Sequence, residues 1–222
     1  MLRIWKKAQR FSKLYGYPSL IPRYIGLRAR WFWMLVGKPV TRPRLRRWLR
    51  GKGPHILNLA GADILIEGVL TVDIFCPMAH AVVDMTEPLP FPNDSIDAIF
   101  CEEGIEHIPK QAGISLLQEC FRVLKHTGSI RISTPDLDFF CSHALEGNRC
   151  DEINEVFYGH HHRYLYTRAE LERVVSEASF TEIKQSYYQD PDTALGALDS
   201  HADRFRHPPE ISQYLEAIKP AR

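Results

Sequence analysis

From residue 55 onward, short apolar segments of strand type alternate with longer segments of helical periodicity. Strand patterns occupy residues 55–59, 70–74, 81–85, 96–101 and 129–133, and then 181–189 and 211–219; helical patterns occupy 109–124 and 167–178. Strands that are separated by helices are typical of parallel βαβ units. The last two strand patterns are close together, which suggests an antiparallel edge. We therefore expect an α/β fold with a doubly wound, mostly parallel sheet of seven strands.

The two helical segments carry end signals. Pro109 suits the first turn of a helix, and Gly128 is expected to end the first helix. The apolar stripe of this helix consists of Ile114, Leu117, Phe121 and Leu124. The second helix is expected to start after Thr167, an N-cap residue that has Glu170 three positions later, as in a capping box.

Charge divides the chain into two parts. Residues 1–52 contain 15 of the 28 lysines and arginines and no acidic residue, whereas residues 53–222 contain all 27 acidic residues and carry a net charge of −14. The segment 38–47 is basic and interrupted by prolines, which places a boundary near residue 52. We therefore expect a basic N-terminal arm (1–52) joined to an acidic domain (53–222). Such an arm suits an anionic partner or the acidic domain itself.

The start of the arm has the pattern of a basic amphipathic helix. In residues 2–15, apolar and basic side chains gather on opposite sides at helical spacing. Together with the four tryptophans of the arm, this pattern suits the interface of an anionic membrane. One alternative is that the helix covers the domain with its apolar stripe. A third and less favoured partner is RNA, whose phosphates the basic residues would bind.

Cysteine usage and hydropathy bear on the compartment. The five cysteines are scattered, odd in number and without a C-x-x-C pair. This usage is typical of a reducing compartment and argues against a disulfide framework or a Cys-rich zinc site. No apolar run approaches the roughly 20 residues that span a bilayer. We therefore expect a cytoplasmic protein, with peripheral attachment to the inner membrane face if the arm binds lipid.

Small and acidic residues follow the first four strand patterns. They are Ala60-Gly61-Ala62-Asp63, Asp73, Asp84 and Cys101-Glu102-Glu103. In a parallel sheet, ligands bind beyond the carboxyl ends of the strands. Small residues let the backbone approach a ligand, and a carboxylate after the second strand can bind both hydroxyls of a ribose. The order of these residues predicts a nucleoside-binding edge.

Several segments of the domain resemble small class I S-adenosylmethionine-dependent methyltransferases of the methyltransferase type 11 kind. Residues 57–73, LNLAGADILIEGVLTVD, are similar to a strand followed by G-C-G, a short turn, G-W and N-V-D, and residues 84–100, DMTEPLPFPNDSIDAIF, are similar to D-L-t-k-P-L-P-F-p-d-x-S-f-D-x-I. Glu106-His107 matches E-H, residues 121–128 resemble R-V-L-K-P-G-G, and residues 131–137 match R-i-s-t-P-D-L. The resemblance runs in order over residues 55–220.

The resemblance implies the class I methyltransferase fold, S-adenosylmethionine as cofactor, and methyl transfer to an acceptor. The implied cofactor-binding residues are Ala60, Gly61, Ala62, Asp73, Ile74, Asp84, Met85, Cys101 and Glu102. Of these, the turn 60–62 and the Cys101-Glu102 pair would border the methionine part, Asp73 would hold the ribose, and Asp84 with Met85 would lie by the adenine. The acceptor stays open among a small molecule, a glycan and a lipid-linked intermediate.

The first loop departs from the pattern of the family. The two glycines of G-C-G are replaced by Ala60 and Ala62, which add Cβ atoms where the backbone must turn tightly or approach a ligand. A positive φ at Ala60 would cost roughly 1 kcal/mol or more. The alternative function is therefore a non-catalytic scaffold or partner-binding protein with a degenerate cofactor loop.

Histidines are the candidate bases for activating an acceptor. His107 lies in the E-H match, and three consecutive histidines, 160–162, follow the fifth strand, where similar methyltransferases often have an H-x-x-x-Y-like segment near the acceptor. A histidine in this place can take a proton from a hydroxyl or an amine. We name His107, His161 and His162 as the candidate catalytic residues.

Structural interpretations of the same residues stay open. The histidines 160–162 would otherwise lie in a solvated loop or pack on Tyr164 or Tyr166. The acidic residues 102–106 and His107 would otherwise form an exposed helix start, since carboxylates favour a helix N-terminus. We expect no metal ion, because histidines that are neighbours in sequence point in different directions and no Cys or Glu lies near them at ligand spacing.

Overall fold

The computed structural model describes residues 32, 37, 39–144, 150–204 and 208–221 of the chain. The helix expected over residues 2–15 lies outside them, as do Trp5, Trp31 and Trp33. Among the residues that the structure describes, no helix has both the length and the apolarity to cross a membrane.

Seven strands of the described residues form one sheet. They are β1 (Ile56–Leu59), β2 (Val69–Asp73), β3 (Ala81–Val82), β4 (Ile96–Glu102), β5 (Leu124–Pro135), β6 (Thr181–Ser186) and β7 (Ser212–Ile218). Their order across the sheet is β3-β2-β1-β4-β5-β7-β6, and all are parallel except β7, which is antiparallel to both of its neighbours. The predicted α/β sheet with an antiparallel edge is confirmed.

Strand β3 is shorter than the expected 81–85, because it pairs with β2 only at Ala81 and Val82. The chain leaves the sheet at Asp84, whose Oδ1 accepts hydrogen bonds from the backbone N and the Oγ1 of Thr86 at 2.9 and 2.7 Å. An aspartate that bonds its own backbone two residues on competes with the ladder of a sheet.

Six helices flank the sheet in the described part of the chain. They are α1 (described over 39–48), α2 (Lys110–Val123), α3 (Leu137–Ala144), α4 (Cys150–Asn154), α5 (Arg168–Glu177) and α6 (His201–Arg204). A π-helical turn, Glu155–Gly159, continues α4, and a 3₁₀ turn, Ile105–His107, follows β4. The connections 60–68 and 74–80, which join the first three strands, contain no helix.

Helix α1 packs on the sheet near these two connections. The backbone N of Val82 in β3 donates to Oγ1 of Thr41 at 3.0 Å. Leu45 is only 1% exposed and belongs to the main core, against which Trp48 also packs. Residues 39–48 of the expected basic arm are therefore folded onto the domain. For these residues, this agrees with the interpretation in which the arm covers the domain.

Helix α2 corrects one prediction. We expected Gly128 to end it, but the helix ends at Val123 and the chain enters β5 directly at Leu124. Gly128 lies inside β5, where a Cβ would come within 2.8 Å of the carbonyl oxygen of Asp97, so its small size serves strand packing. Pro109 is the N-cap residue rather than a residue of the first turn.

The buried stripe of α2 is also shifted from the expected one. Its buried residues are Gly113, Leu116, Leu117, Cys120 and Val123, so that of the expected stripe only Leu117 is buried within the helix. The start of α5 is confirmed, because Oγ1 of Thr167 accepts from the backbone N of Glu170 at 3.1 Å.

A second, small core supports the segment between β5 and α5. Phe140, Val156 and Leu165 form this cluster, apart from the main core under the sheet. It fixes the turn that carries His162 beyond the carboxyl ends of the strands.

Candidate functional site

The turn after β1 keeps a backbone conformation that normally favours glycine. Ala60 has a φ of 53° and Ala62 a φ of 48°. Between them, Gly61 donates its backbone N–H to the carbonyl oxygen of Val72 at 3.3 Å. A Cβ on Gly61 would lie 2.2 Å from Nδ2 of Asn58, so only glycine fits there. The tight turn persists although each alanine costs roughly 1–2 kcal/mol in this conformation.

Gly104, after β4, makes room for the methyl group of Ala60. A Cβ at position 104 would lie 2.9 Å from Cβ of Ala60 and 3.1 Å from Sγ of Cys101. The methyl group of Ala60 is thus accommodated because residue 104, in the neighbouring loop, has no side chain. The sequence alone does not single out Gly104, because only the sheet brings residues 60 and 104 together.

Asp73 ends β2 with its carboxylate fixed by the following loop. Its Oδ1 accepts from the backbone N of Phe75 at 2.6 Å and from that of Cys76 at 2.8 Å. The side chain is half-buried, and Ile74 beside it is half-buried as well. A carboxylate held in this way at the carboxyl edge has little conformational freedom left to lose when it binds a ligand.

The other predicted cofactor residues are placed as follows. Asp84 and Met85, after β3, are half-buried, and Met85 packs against the main core. Cys101 is buried at the end of β4. Glu102 is fully buried and accepts from the backbone N and Oγ of Ser200 at 2.8 and 2.5 Å. Glu102 therefore anchors the segment around residue 200.

A buried ion pair also anchors the segment around residue 200. Arg131 of β5 is fully buried and donates from Nε and Nη2 to the two carboxylate oxygens of Asp199, at 2.7 and 2.5 Å. Its Nη2 also donates to the carbonyl oxygen of Tyr187 at 2.9 Å. The loop 187–200 is thus tied to the sheet beside the candidate site. The one sequence signal for this network is an arginine within the apolar β5 pattern, and its partner is 68 residues away.

The E-H segment and the last of the three consecutive histidines come together. Nε2 of His107 lies 3.6 Å and Nε2 of His162 lies 3.9 Å from Oε1 of Glu106. The two imidazole rings are 4.8 Å apart in an edge-on arrangement. The approach is built by the backbone, since the N–H groups of Arg163 and Tyr164 both donate to the carbonyl oxygen of Glu106.

The three predicted catalytic histidines differ in exposure. His162 is buried, the side chain of His107 is 43% exposed, and His161 is exposed with a φ of 62°. The structure therefore groups His107 with His162, while His161 contributes its backbone as a hydrogen-bond partner of the His107 ring. The ring of His160 stacks on that of His162 at 5.7 Å.

Burial lowers the pKa of both clustered imidazoles. Desolvation, reinforced by the neighbouring histidines, lowers the pKa of His162 to about 3. Desolvation also lowers the pKa of His107 below its ordinary value, against the opposing hydrogen bond to the His161 backbone. At neutral pH each ring therefore has one nitrogen that can accept a proton or bind a metal ion.

The interpretation of residues 102–107 as an exposed acidic helix start is wrong. Glu102 and Glu106 are both fully buried, and Oγ1 of Thr134 donates to Oε2 of Glu106 at 3.0 Å. Buried carboxylates that are held in this way are part of a built site rather than of a solvated surface.

A cavity of about 770 Å³ lies at the opposite edge of the sheet. Its lining includes Ile56 and Val69, the first residues of β1 and β2, together with Trp48, Glu67 and His80. Ligands of open α/β sheets bind beyond the carboxyl ends of the strands, so this amino-edge cavity is not the candidate site.

Comparison with known proteins shows what this architecture is similar to. Residues 49–132 match the family model described as a methyltransferase domain. No curated protein sequence matches the chain significantly.

Solved structures share the fold at low sequence identity. An S-adenosylmethionine-dependent methyltransferase from Archaeoglobus fulgidus has a TM-score of 0.50 at 16% identity, covering 83% of this chain and 93% of that one. A possible histamine N-methyltransferase from Thermotoga maritima has a TM-score of 0.50 at 15% identity, covering 89% and 96%.

A larger enzyme shares the fold over part of its length. Phosphoethanolamine N-methyltransferase 2 of Haemonchus contortus, in complex with S-adenosyl-L-methionine, has a TM-score of 0.50 at 15% identity. The match covers 81% of this chain but 52% of that enzyme, so the chain spans about half of its length. At these identities the likenesses show the fold of the class I methyltransferases.

Proposed function

We propose that this chain, which has the fold of the class I methyltransferases, binds S-adenosylmethionine and transfers its methyl group to an acceptor. One observation carries the proposal. The turn 60–62 after β1 and the fixed carboxylate of Asp73 after β2 lie at the same edge of the sheet, where α/β folds bind ligands.

The residues of this edge fit a nucleoside with a charged side chain. Gly61 leaves no space for a Cβ, so backbone borders this part of the site. The left-handed residues on both sides of Gly61 keep the tight turn that lets backbone approach a ligand. Asp73 supplies a carboxylate of the kind that binds the two hydroxyls of a ribose. Asp84 and Met85 follow the next strand and suit the base.

The cofactor supplies a methyl group on a positively charged sulfur, ready for in-line displacement. The protein must hold the acceptor in line with that group, exclude water and remove a proton from a hydroxyl or amine acceptor. His107, in the cluster of Glu106, His107 and His162, is the group that takes up this proton, because His162, whose pKa is lowered to about 3, is too weak a base. His107 is the solvent-accessible member of the cluster, and an acceptor reaches it first.

Calorimetric titration with S-adenosylhomocysteine, the demethylated product, tests the proposal. Asp73→Ala should weaken binding by about 1.5–3 kcal/mol, or ~10- to 150-fold, since it removes hydrogen bonds to a charged group. Glu67→Ala is the matched control, because Glu67 is an exposed carboxylate in the connection before β2 and lines the amino-edge cavity. Its affinity should equal that of the wild type. The proposed site is wrong if Glu67→Ala weakens binding while Asp73→Ala does not.

A non-catalytic scaffold is the second candidate function. It is favoured by the two alanine methyl groups in the cofactor turn and by the engagement of Glu102 with Ser200. This function would be supported if the folded wild-type protein showed no binding of S-adenosylmethionine or S-adenosylhomocysteine at millimolar concentration.

A further inference from the structure

The cluster of Glu106, His107 and His162 has the composition of a metal site. The candidate ligand atoms, one from each residue, all lie within 4.8 Å of one another. Both imidazole Nε2 atoms face the same carboxylate oxygen, Oε1 of Glu106, at 3.6 and 3.9 Å. Two imidazoles and one carboxylate form a ligand set of catalytic zinc sites, which keep a further position open.

Two of the three spacings are close to what an ion requires. With bond lengths of about 2.0–2.2 Å and tetrahedral angles, ligand atoms lie roughly 3.3–3.5 Å apart. The two His–Glu separations need to shrink by only a few tenths of an ångström. The third separation, between the ligand atoms of the two imidazoles, is at most 4.8 Å, so it needs to shrink by up to about 1.5 Å.

Groups behind two of the three side chains, Glu106 and His107, hold them in place. Oγ1 of Thr134 donates to Oε2 of Glu106, which leaves Oε1 on the side of the imidazoles. The His107 ring is hydrogen-bonded to the backbone of His161. Hydrogen bonds of this kind orient metal ligands in proteins and fix the tautomer of a ligating histidine.

We propose that Glu106, His107 and His162 bind a divalent transition metal ion of the zinc type, with a coordination position open toward solvent on the His107 side. The sequence expectation of no metal considered the consecutive histidines 160–162, of which only His162 is buried. The site in the structure uses only one of them, together with two residues more than 50 positions earlier in the chain. Those residues lie at ligand distance only after folding.

The ion would also explain how an acceptor is activated, a role that rests on the proposed methyltransferase function. With the ion bound, the three side chains would be ligands and could not take up the proton themselves. An acceptor hydroxyl at the open position would instead lose its proton to solvent, because a bound Zn²⁺ ion lowers the pKa of an oxygen ligand. The resulting oxygen anion would accept the methyl group, with S-adenosylhomocysteine as the leaving group. Metal binding itself does not require the cofactor.

Metal binding is testable on the full chain without cofactor. After chelator treatment, the protein is titrated with Zn²⁺ by calorimetry and with Co²⁺ by visible absorption. We expect one ion per chain and a Co²⁺ spectrum of nitrogen and oxygen ligation. Sub-stoichiometric or absent binding overturns the proposal. A thiolate-to-cobalt charge-transfer band does so too, since it would place the ion on cysteines such as the exposed Cys141 and Cys150.

Variants identify the ligands. His107→Ala removes a partly exposed ligand and should weaken Zn²⁺ binding by about 100-fold or more, since even residues that only support ligands contribute 10- to 100-fold. Glu106→Gln keeps the shape of the side chain and its contact with Thr134, and should also weaken Zn²⁺ binding. His80→Ala removes an exposed histidine at the opposite edge of the sheet, away from the cluster, and should leave affinity unchanged. Equal affinity in all three variants overturns the proposal.

The metal proposal and the cofactor proposal can be refuted independently of each other. If S-adenosylhomocysteine binds and Zn²⁺ does not, the metal inference is wrong and the proposed function stands. If Zn²⁺ binds with the expected variant pattern and S-adenosylhomocysteine does not, the metal site stands and the proposed cofactor is wrong.

Discussion

At the scale of single residues, the cofactor turn depends on two alanines that occupy glycine conformations. Replacing both, Ala60→Gly with Ala62→Gly, removes the strain of positive φ but raises the entropy of the unfolded chain. Because the strain of roughly 1–2 kcal/mol per alanine exceeds the entropy term of about 0.4–1 kcal/mol per glycine, we expect a higher midpoint of thermal unfolding. The backbone can then approach the ligand more closely, so calorimetry should show tighter binding of S-adenosylhomocysteine. Unchanged affinity together with lower stability would refute the idea that the alanines weaken this site.

Gly104 gives a second prediction at this scale. Gly104→Ala places a Cβ 2.9 Å from Cβ of Ala60, which should cost about 1–3 kcal/mol as overpacking. In the background of Ala60→Gly the same substitution should cost much less, because one of the two clashing groups is gone. Chemical denaturation of the four proteins of this double-mutant cycle measures the coupling. Additive costs would show that the two methyl positions do not meet.

Single residues also show how far the sequence predicts the site. The order of Ala60, Asp73 and Asp84 predicts a ligand-binding edge, because strand ends can be recognised in a sequence and parallel strands bring their carboxyl ends to the same edge of the sheet. The contacts of Glu102 with Ser200 and of Gly104 with Ala60 were not predictable in this way, since they join residues 98 and 44 positions apart. His107 and His162 were predicted as candidate catalytic residues, but their proximity was not predicted.

At the scale of elements, the loop 187–200 is held by the pair of Arg131 and Asp199. Both side chains are fully buried, so Asp199→Ala leaves a buried charge without its main partner and should cost about 3–5 kcal/mol. Glu177→Ala breaks the exposed pair with Arg173 and should cost less than about 1 kcal/mol, which makes it the matched control. Free energies of unfolding from denaturant titrations measure both. Equal costs would mean that Arg131 does not anchor the loop.

A surface ion-pair cluster links α2 to α5 and gives a pH prediction. Hydrogen bonds from Arg173 and Lys110 lower the pKa of Glu170 from 4.5 to about 2. A carboxyl whose pKa is lower in the folded than in the unfolded state stabilises above the unfolded pKa, and this contribution is lost as pH falls from about 4.5 toward 2. Glu170→Gln should flatten part of the acid limb of stability in this window. An unchanged acid limb would contradict the linkage; because the group is near the surface, the effect should be small and reduced by salt.

The bounds of a helix were predicted best where a capping residue lies at one end of the periodic pattern. Thr167 fixed the start of α5, whereas α2 has no such signal at its end and passes into β5 at Leu124 without a loop. The helical spacing of apolar residues in α2 continues to Leu124, the first residue of β5, so the pattern alone could not separate the two elements. Strand β3 was overestimated because the side chain of Asp84 ends the ladder early.

At the scale of the whole molecule, the basic arm stays a proposal for residues before 39. Tryptophan and basic side chains together suit an anionic membrane interface, and each engaged base contributes about 1 kcal/mol. We expect the full chain to co-sediment with anionic but not neutral vesicles, and to lose this binding at high salt or on deletion of residues 2–17. Helix α1, whose Leu45 lies in the core, is kept in the deletion variant.

The vesicle experiment also has a clear opposite outcome. If the full chain ignores anionic vesicles at low salt while the deletion variant is unstable, the arm is structural. Steeply salt-dependent binding to RNA in place of vesicles would instead favour phosphate recognition by the same residues.

Hydrogen–deuterium exchange shows whether S-adenosylmethionine binds at the carboxyl edge of β1, β2 and β3. With saturating S-adenosylhomocysteine, we expect slower exchange at the backbone amides of 60–62, 74–76 and 84–86. We expect no change at 51–56 and 65–69, which line the cavity at the opposite edge. No protection anywhere, or protection confined to that opposite edge, would mean that the cofactor does not bind at the carboxyl edge.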